Sequence, residues 1–190
     1  VLEAGESIVV DGALGTLTSP LGNLTFAGGD LLVMGDVFLG GDLKTVGTMG
    51  SLSFNGDIKA VNLDIRDAGD LIINGDVTLS NNLNLTDTST GFANTFEGAI
   101  QAANLLIHAS GSKLLFGGAV SLTGKVDFQA IGADGVEFRG ALTADQLLVK
   151  ASSGNYLILL DGDCIPEKHF IKDHTDLAQK GYFFQGKRVI

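Results

Sequence analysis

The chain has 190 residues, and 22 Asp and Glu against 12 Lys and Arg give it a formal net charge of −10 at pH 7. This acidic balance disfavours binding to nucleic acid and to anionic membrane surfaces. With one Cys, no Trp and no apolar run long enough to span a bilayer, the composition excludes a disulfide framework and a transmembrane helix.

The first residues do not have the sequence pattern expected of a leader or of a cap. Residues 1–6 lack an initiator Met, a charged n-region and an apolar h-region, so we expect any export signal to lie upstream or to have been removed. We therefore interpret the chain as a fragment of a longer protein.

From Val10 to Leu142 the chain repeats a short unit: an apolar residue, any residue, Gly, a small or acidic residue, and an aliphatic residue. The units follow one another at steps of 23, 21, 19, 23, 20 and 22 residues. Their glycines are Gly12, Gly35, Gly56, Gly75, Gly98, Gly118 and Gly140. Self-similarity at a fixed period of this size predicts a solenoid, in which stacked coils bury one continuous core.

An apolar triplet recurs in phase with this unit. Its copies begin at Leu24, Leu63, Leu83, Leu105, Val126 and Leu147. A coil of about 21 residues is too short for a strand and a full helix, and segments such as Leu52-Ser53-Phe54 alternate apolar and polar residues. We predict an all-β fold over residues 1–153, a parallel β-solenoid of about seven to eight coils, with Gly and Asn in turns that need positive φ.

Four phenylalanines stand at equivalent positions of the repeat. Phe54, Phe96, Phe116 and Phe138 should stack along one inward column, which fixes the register of the coils. Function is then expected on a surface, with no catalytic residue, no cofactor and no assigned substrate-binding residue in the repeats. Unpaired strands at the ends of the stack make self-association plausible.

Some polar residues of the repeats allow two interpretations. Asp after Gly could hold calcium between coils, or could bond its own backbone in a turn, and the nine-residue calcium repeat is absent at its spacing. The residues concerned are Asp30, Asp36, Asp42, Asp57 and Asp76. Asn23 and Asn84 match a glycosylation pattern that arises often by chance, and His108 is expected to be a turn or edge residue.

Residues 116–120 and 138–142 are units of the type Phe-x-Gly-Ala-Val, joined to triplets of the type Leu-x-Ile. These repeats resemble those of large bacterial surface proteins, the filamentous-haemagglutinin-like adhesins and autotransporter passengers. The resemblance implies a structural or adhesive scaffold that is secreted or held at the cell surface, with an unknown surface as its partner.

The composition changes sharply near residues 150–155. Both Tyr and the single Cys lie beyond this point. Residues 154–190 predict a second domain with a strand, an acidic turn, a helix over about 166–180 and a second strand. Pro166 suits the first helical turn and Gly181 suits the position after the last. This α/β order is foreign to a solenoid.

Residues 157–166 read LILLDGDCIP, and matching text continues to Val189. This run resembles the metal-binding segment of family-2 glycosyltransferases. The resemblance implies that Asp161 and Asp163 hold Mg²⁺ or Mn²⁺ against the diphosphate of a nucleotide-sugar, in a cytoplasmic or membrane-associated enzyme. In that family a nucleotide-binding half precedes the motif and an acceptor half follows it. This chain has solenoid repeats before the motif and ends at Ile190, so we expect it to be inactive as an enzyme.

The same run also fits the repeat. Gly162 follows Gly140 by 22 residues, so Ile158 and Leu160 would stack on Val136 and Phe138. We favour this eighth coil over residues 154–165, with the helix packed over the open end as a cap. Two functions stand: a non-catalytic adhesive solenoid joined to an incomplete transferase segment, and, as the alternative, a metal-dependent glycosyltransferase fragment.

Overall fold

A computed structural model of the chain describes residues 1–3, 5–47, 50–87, 91–109, 113–131 and 135–149. All of them belong to the first of two units, Val1–Ser153. The predicted second domain, its helix, the eighth coil, Asp161 and Asp163 lie outside the described residues. The boundary at residues 153–154 therefore stays a prediction.

The described residues form strands and no helix. The strands are short because each coil must turn a corner after three to seven residues in most cases. Their bounds are β1 Leu2–Glu3, β2 Ser7–Val10, β3 Leu24–Ala27, β4 Asp30–Val33, β5 Val37–Phe38, β6 Leu43–Val46, β7 Leu52–Phe54, β8 Ile58–Ala60, β9 Leu63–Arg66, β10 Leu71–Ile73, β11 Val77–Leu79, β12 Asn82–Asp87, β13 Ala93–Phe96, β14 Ile100–Ala102, β15 Asn104–Ala109, β16 Lys113–Phe116, β17 Val120–Leu122, β18 Lys125–Ile131, β19 Val136–Phe138, β20 Leu142–Thr143 and β21 Gln146–Val149.

From β3 onward every third strand belongs to the same sheet, and neighbouring strands within a sheet are parallel. Sheet A has the order β1-β3-β6-β9-β12-β15-β18-β21. Sheet B has the order β2-β4-β7-β10-β13-β16-β19, and sheet C the order β5-β8-β11-β14-β17-β20. Each strand thus pairs with its equivalent one turn along the chain, which confirms the predicted parallel β-solenoid.

The structure has six turns that place a strand in all three sheets, from β3 to β20. An incomplete turn stands on either side: β1 and β2 with the two isolated bridges Leu14–Val37 and Leu21–Leu39 before them, and β21 after them. The prediction of seven to eight coils counted repeat units, and the first unit supplies isolated bridges where later units supply a strand of sheet C.

The phenylalanine column exists in sheet B. Phe96, Phe116 and Phe138 are in direct register, and their rings stack at centroid distances of 5.1 and 4.7 Å. Ile73 lies between Phe54 and Phe96 in the same column, so Phe54 meets Phe26 of sheet A edge-on at 6.3 Å. The predicted inward column is confirmed, with the continuous ring stack limited to its last three members.

Two polar side chains interrupt the apolar interior at the corner between sheets A and B. Asn94 takes the register position of Leu71 and Leu114, and only 2% of it is exposed. Its Nδ2 donates a hydrogen bond of 2.7 Å to Oδ2 of Asp87, which is also buried. Buried polar groups need such partners, so this pair ties the end of β12 to the start of β13.

The repeat glycines after Gly12 are required by close stacking and not by turn geometry, so the expected positive φ of turn glycines is confirmed at other glycines and does not explain these. Positive φ among the described glycines occurs only outside the repeat positions, as at Gly15 and Gly91. A Cβ on Gly75 would instead overlap the backbone carbonyl of Gly56 in the preceding coil. The same overlap recurs along the column, since coils stack at the strand spacing of about 4.8 Å.

Replacing one stacked glycine tests this explanation. We expect Gly75→Ala to lower the free energy of unfolding by about 1–3 kcal/mol, because backbone atoms cannot yield to the added methyl group. Gly12→Ala is the matched control: it occupies the same column, but its Cβ would meet nothing within 4 Å. Urea denaturation followed by circular dichroism measures both, and equal losses would contradict the stacking explanation.

Candidate functional site

The aspartates that follow repeat glycines lie at the corner between sheets B and C. Oδ1 of Asp36 accepts a hydrogen bond of 2.9 Å from the backbone N–H of Asp57, and Asp57 does the same for Asp76 at 2.9 Å. Asp76 accepts from the N–H of Ala99 at 2.7 Å. These carboxylates therefore bond the backbone of the next coil, and the interpretation that they bond their own backbone is wrong.

The same aspartates are also considered as ligands that could hold calcium between coils. Within the described ranges, no group of three or more His, Cys, Asp or Glu side chains is arranged to hold a metal ion. Asp161 and Asp163, the predicted ligands of Mg²⁺ or Mn²⁺, lie outside those ranges, so their metal site stays a prediction.

A second polar ladder runs along the corner between sheets C and A. Asn23 Oδ1 accepts from the backbone N–H of Asp42 at 2.8 Å, and Asn62 Nδ2 donates to Asp42 Oδ1 at 2.8 Å. Asn82 and Asn104 continue the ladder with bonds of 3.1 and 2.9 Å. Sequence reasoning missed it, although the signal was present: each member directly precedes the Leu of an apolar triplet.

One carboxylate of this ladder has a shifted pKa. The hydrogen bond from Asn62, and then that from Lys44, lower the pKa of Asp42 from its ordinary value. The Lys44 ammonium lies 3.0 Å from Asp42 Oδ2. Both partners favour the ionised carboxyl, so the ladder is strongest when Asp42 is charged.

The outer faces of sheets B and C differ in chemistry. The outward row of sheet B mixes aliphatic side chains, of which Val9 and Ile72 are exposed, with the polar side chains of Ser53, Thr95 and Glu137. Sheet C presents an exposed polar row and a shallow depression of about 330 Å³ beside it. The row consists of Lys59, Thr78, Gln101, Ser121 and Thr143.

The outer face of sheet A combines charge, hydroxyl, ring and amide groups around a depression of about 210 Å³. We call this the sheet A groove. Its polar lining consists of Asp64, Arg66, Asn84, Thr86, His108 and Gln129. Arg66, Thr86 and His108 occupy one register position on three consecutive strands, about 4.8 Å apart from strand to strand.

A β-bulge shapes one end of the groove. The pairing of β15 with β18 shifts between Ile107 and His108, so that His108 pairs with Ala130 and Gln129 is the extra residue. Bulges bend a strand and re-aim its side chains. His108 lies inside β15, which has a partner strand on each side, so the expectation of a turn or edge residue is wrong.

The charge in the groove is neutralised internally. The Arg66 guanidinium donates to Asp64 through Nε at 3.2 Å and Nη2 at 3.0 Å, and this carboxylate raises the pKa of Arg66. Arg66 nevertheless keeps 59% of its side chain exposed. The groove therefore presents hydrogen-bond donors without an unpaired positive charge.

Several groups in the groove retain unused hydrogen-bonding capacity. The Thr86 hydroxyl and the His108 ring make no hydrogen bond to a described residue. Oδ1 of Asn84 is shielded, and no described group donates to it. An orphan acceptor of this kind takes its donor from outside the protein, either from water or from a bound molecule. The donors of the groove, such as the Arg66 guanidinium, lie beside acceptors such as Oδ1 of Asn84. A hydroxyl group can accept from the first kind and donate to the second.

The groove was also missed from the sequence. Arg66, Thr86 and His108 each stand three residues after the first residue of an apolar triplet. Aligning the triplets would have placed the three side chains in one outward column.

No family model, curated protein or solved structure matches this chain. Among the described residues, no helix has the length and apolar character needed to cross a membrane.

The lowered pKa of Asp42 predicts how the free energy of unfolding changes with pH. Its folded-state pKa lies below the unfolded value, so its contribution is present above the unfolded-state pKa and is lost as pH falls through the folded-state pKa. We expect wild type to be more stable than Asp42→Asn at neutral pH, and the gap to shrink on acidification. Urea denaturation of both proteins over a pH series measures it, and a constant or widening gap would refute the assignment.

Proposed function

We propose that this chain is a segment of a non-catalytic, structural and adhesive β-solenoid from a secreted bacterial surface protein, and that the sheet A groove is its adhesive face. The observation that carries the proposal is the in-register column of Arg66, Thr86 and His108 beside a depression with unused hydrogen-bonding groups. The resemblance of the repeats to surface adhesins supports the export and the adhesive role.

The electrostatics favour an uncharged ligand. Asp64 already neutralises Arg66, and the chain carries a net charge of −10. An acidic solenoid repels nucleic acid and polyanions at long range. A hydroxyl-rich ligand without charge, such as a neutral glycan on a surface, can both donate to and accept from the groove without meeting this repulsion.

The geometry favours an extended ligand. The three side chains of the column repeat at the strand spacing of about 4.8 Å, so successive units of a chain-like molecule can meet successive strands. Shallow polar grooves give weak binding at one site. Many copies of the chain on a surface would raise the effective affinity by multivalency.

Bead adhesion tests the proposed face. Beads coated with the chain should adhere to surfaces coated with neutral glycans, and the triple variant Arg66→Ala, Thr86→Ala, His108→Ala should lose most of that adhesion because it removes the column. The matched control is Thr78→Ala, Gln101→Ala, Ser121→Ala on sheet C, which should adhere like wild type. Equal adhesion of both variants, or adhesion to polyanionic surfaces alone, would refute the groove as the adhesive face.

A second candidate function concerns residues 154–190. Their run of residues similar to family-2 glycosyltransferases favours a metal-dependent transferase segment, with Asp161 and Asp163 holding Mg²⁺ or Mn²⁺ at the diphosphate of a nucleotide-sugar. Hard oxygen ligands suit these ions. Such a segment would act in the cytoplasm or at a membrane, in contrast to an exported solenoid.

Calorimetry separates this candidate from the first. If the segment binds its donor, titration of the chain with Mn²⁺ and a nucleotide-sugar should give saturable heat, and the double variant Asp161→Ala, Asp163→Ala should abolish it. Titration of the nucleotide-sugar without metal serves as the control. Absence of saturable heat in the wild-type chain would rule out the transferase function.

A further inference from the structure

Two Asn-Gly pairs lie one above the other at the corner between sheets B and C. Phe54 and Ile73 are in register, so Asn55 and Asn74, which follow them, occupy equivalent positions in adjacent coils. Both side chains are exposed. Asn74 Nδ2 donates a hydrogen bond of 2.9 Å to Oδ1 of Asn55.

We propose that Asn55 is a site of spontaneous deamidation, and that the amide of Asn74 activates it. The backbone nitrogen of Gly56 attacks Cγ of Asn55, the new C–N bond closes a succinimide, and the side-chain nitrogen leaves as ammonia after taking the backbone proton. Water then opens the ring and leaves an aspartyl or isoaspartyl residue. The net reaction consumes one water and releases one ammonia, with no change in oxidation state.

The backbone nitrogen of Gly56 is the nucleophile of this step. Gly56 has no side chain to hinder attack by its nitrogen. Its N–H makes no hydrogen bond to a described residue, whereas the N–H groups of the adjacent residues Asn55 and Asp57 are bonded to Val33 and Asp36.

The electrophile is the side-chain carbonyl carbon, Cγ, and it is polarised more strongly in Asn55 than in Asn74. Oδ1 of Asn55 accepts from Asn74 Nδ2 and lies 3.5 Å from the Ser53 hydroxyl. A hydrogen bond to a carbonyl oxygen stabilises the negative charge that attack on its carbon develops. The amide nitrogen of Asn55, the leaving group, donates a hydrogen bond of 3.2 Å to the weak acceptor Sδ of Met34. No described residue donates to Oδ1 of Asn74, so Asn55 reacts first.

The stacked corner also selects between the products. An isoaspartyl residue lengthens the main chain by one carbon. At Gly56, even an added Cβ would lie 2.6 Å from the backbone of Gly35 and Asp36 in the preceding coil. Folded chains therefore retain the aspartyl product, and the isoaspartyl product disrupts the bond between Asp57 N–H and Asp36.

Peptide mapping by mass spectrometry after incubation of the whole chain in mildly alkaline buffer tests the proposal. We expect Asn55 to convert several-fold faster than Asn23, an exposed asparagine followed by Leu, and faster than Asn74. Asn74→Ala should slow conversion of Asn55 by roughly fivefold, the factor that one neutral hydrogen bond of ordinary strength represents. Asn74→Gln, which keeps an amide donor, should restore most of the rate.

Circular dichroism confirms that each variant is folded before its rate is compared. Conversion of Asn55 no faster than that of Asn23 would overturn the site. Conversion of Asn74 before Asn55, or an equal rate in wild type and the folded Asn74→Ala variant, would overturn the activation. These outcomes are independent of adhesion, so they do not bear on the proposed function.

Discussion

The hydrogen bonds between one coil and the next hold the whole structure together. They set a spacing of about 4.8 Å between equivalent residues, and every other feature must fit that distance. Glycine is required where backbones approach most closely, as at Gly75 above Gly56. Aromatic rings stack where three successive coils offer an inward Phe, from Phe96 to Phe138. Polar side chains at the corners bond N–H and amide groups that would otherwise lack partners.

This constraint also separates the parts of a coil that can vary from those that cannot. Inward positions belong to continuous columns, so a change at one coil affects its neighbours above and below. Outward positions contact only adjacent strands and are free to acquire chemistry. The three outer faces show the result: sheet B presents a mixture of aliphatic and polar groups, sheet C hydroxyls and amides, and sheet A the ion pair, ring and hydroxyl of its groove. A binding face can thus arise without disturbing the core.

The corner ladders have a chemical consequence beyond stability. Asparagine suits a corner because its amide donates to one coil and accepts from the other, as Asn62 does between Asp42 and Asn82. The same bonding next to Gly polarises the amide carbon of Asn55. Asn62 is followed by Leu63, whose side chain is buried in the core, so its neighbouring nitrogen is hindered. The residue that follows each corner asparagine therefore separates a stable amide from a reactive one.

The repeat period and the alternation of apolar residues determined the solenoid, its parallel pairing and the phenylalanine column, because these features depend on spacing along the chain. Other features were decided only by the tertiary structure. The reason for every repeat glycine after Gly12 lies in the coil beneath it, and Asp36 bonds a residue 21 positions away. The Asn94–Asp87 pair and the column of Arg66, Thr86 and His108 likewise depend on which residues meet across coils. A local sequence pattern is enough to predict that the coils stack. Coil lengths vary from one repeat to the next, however, so the pattern does not say which residues face each other. Packing sets the exact register that brings distant side chains together.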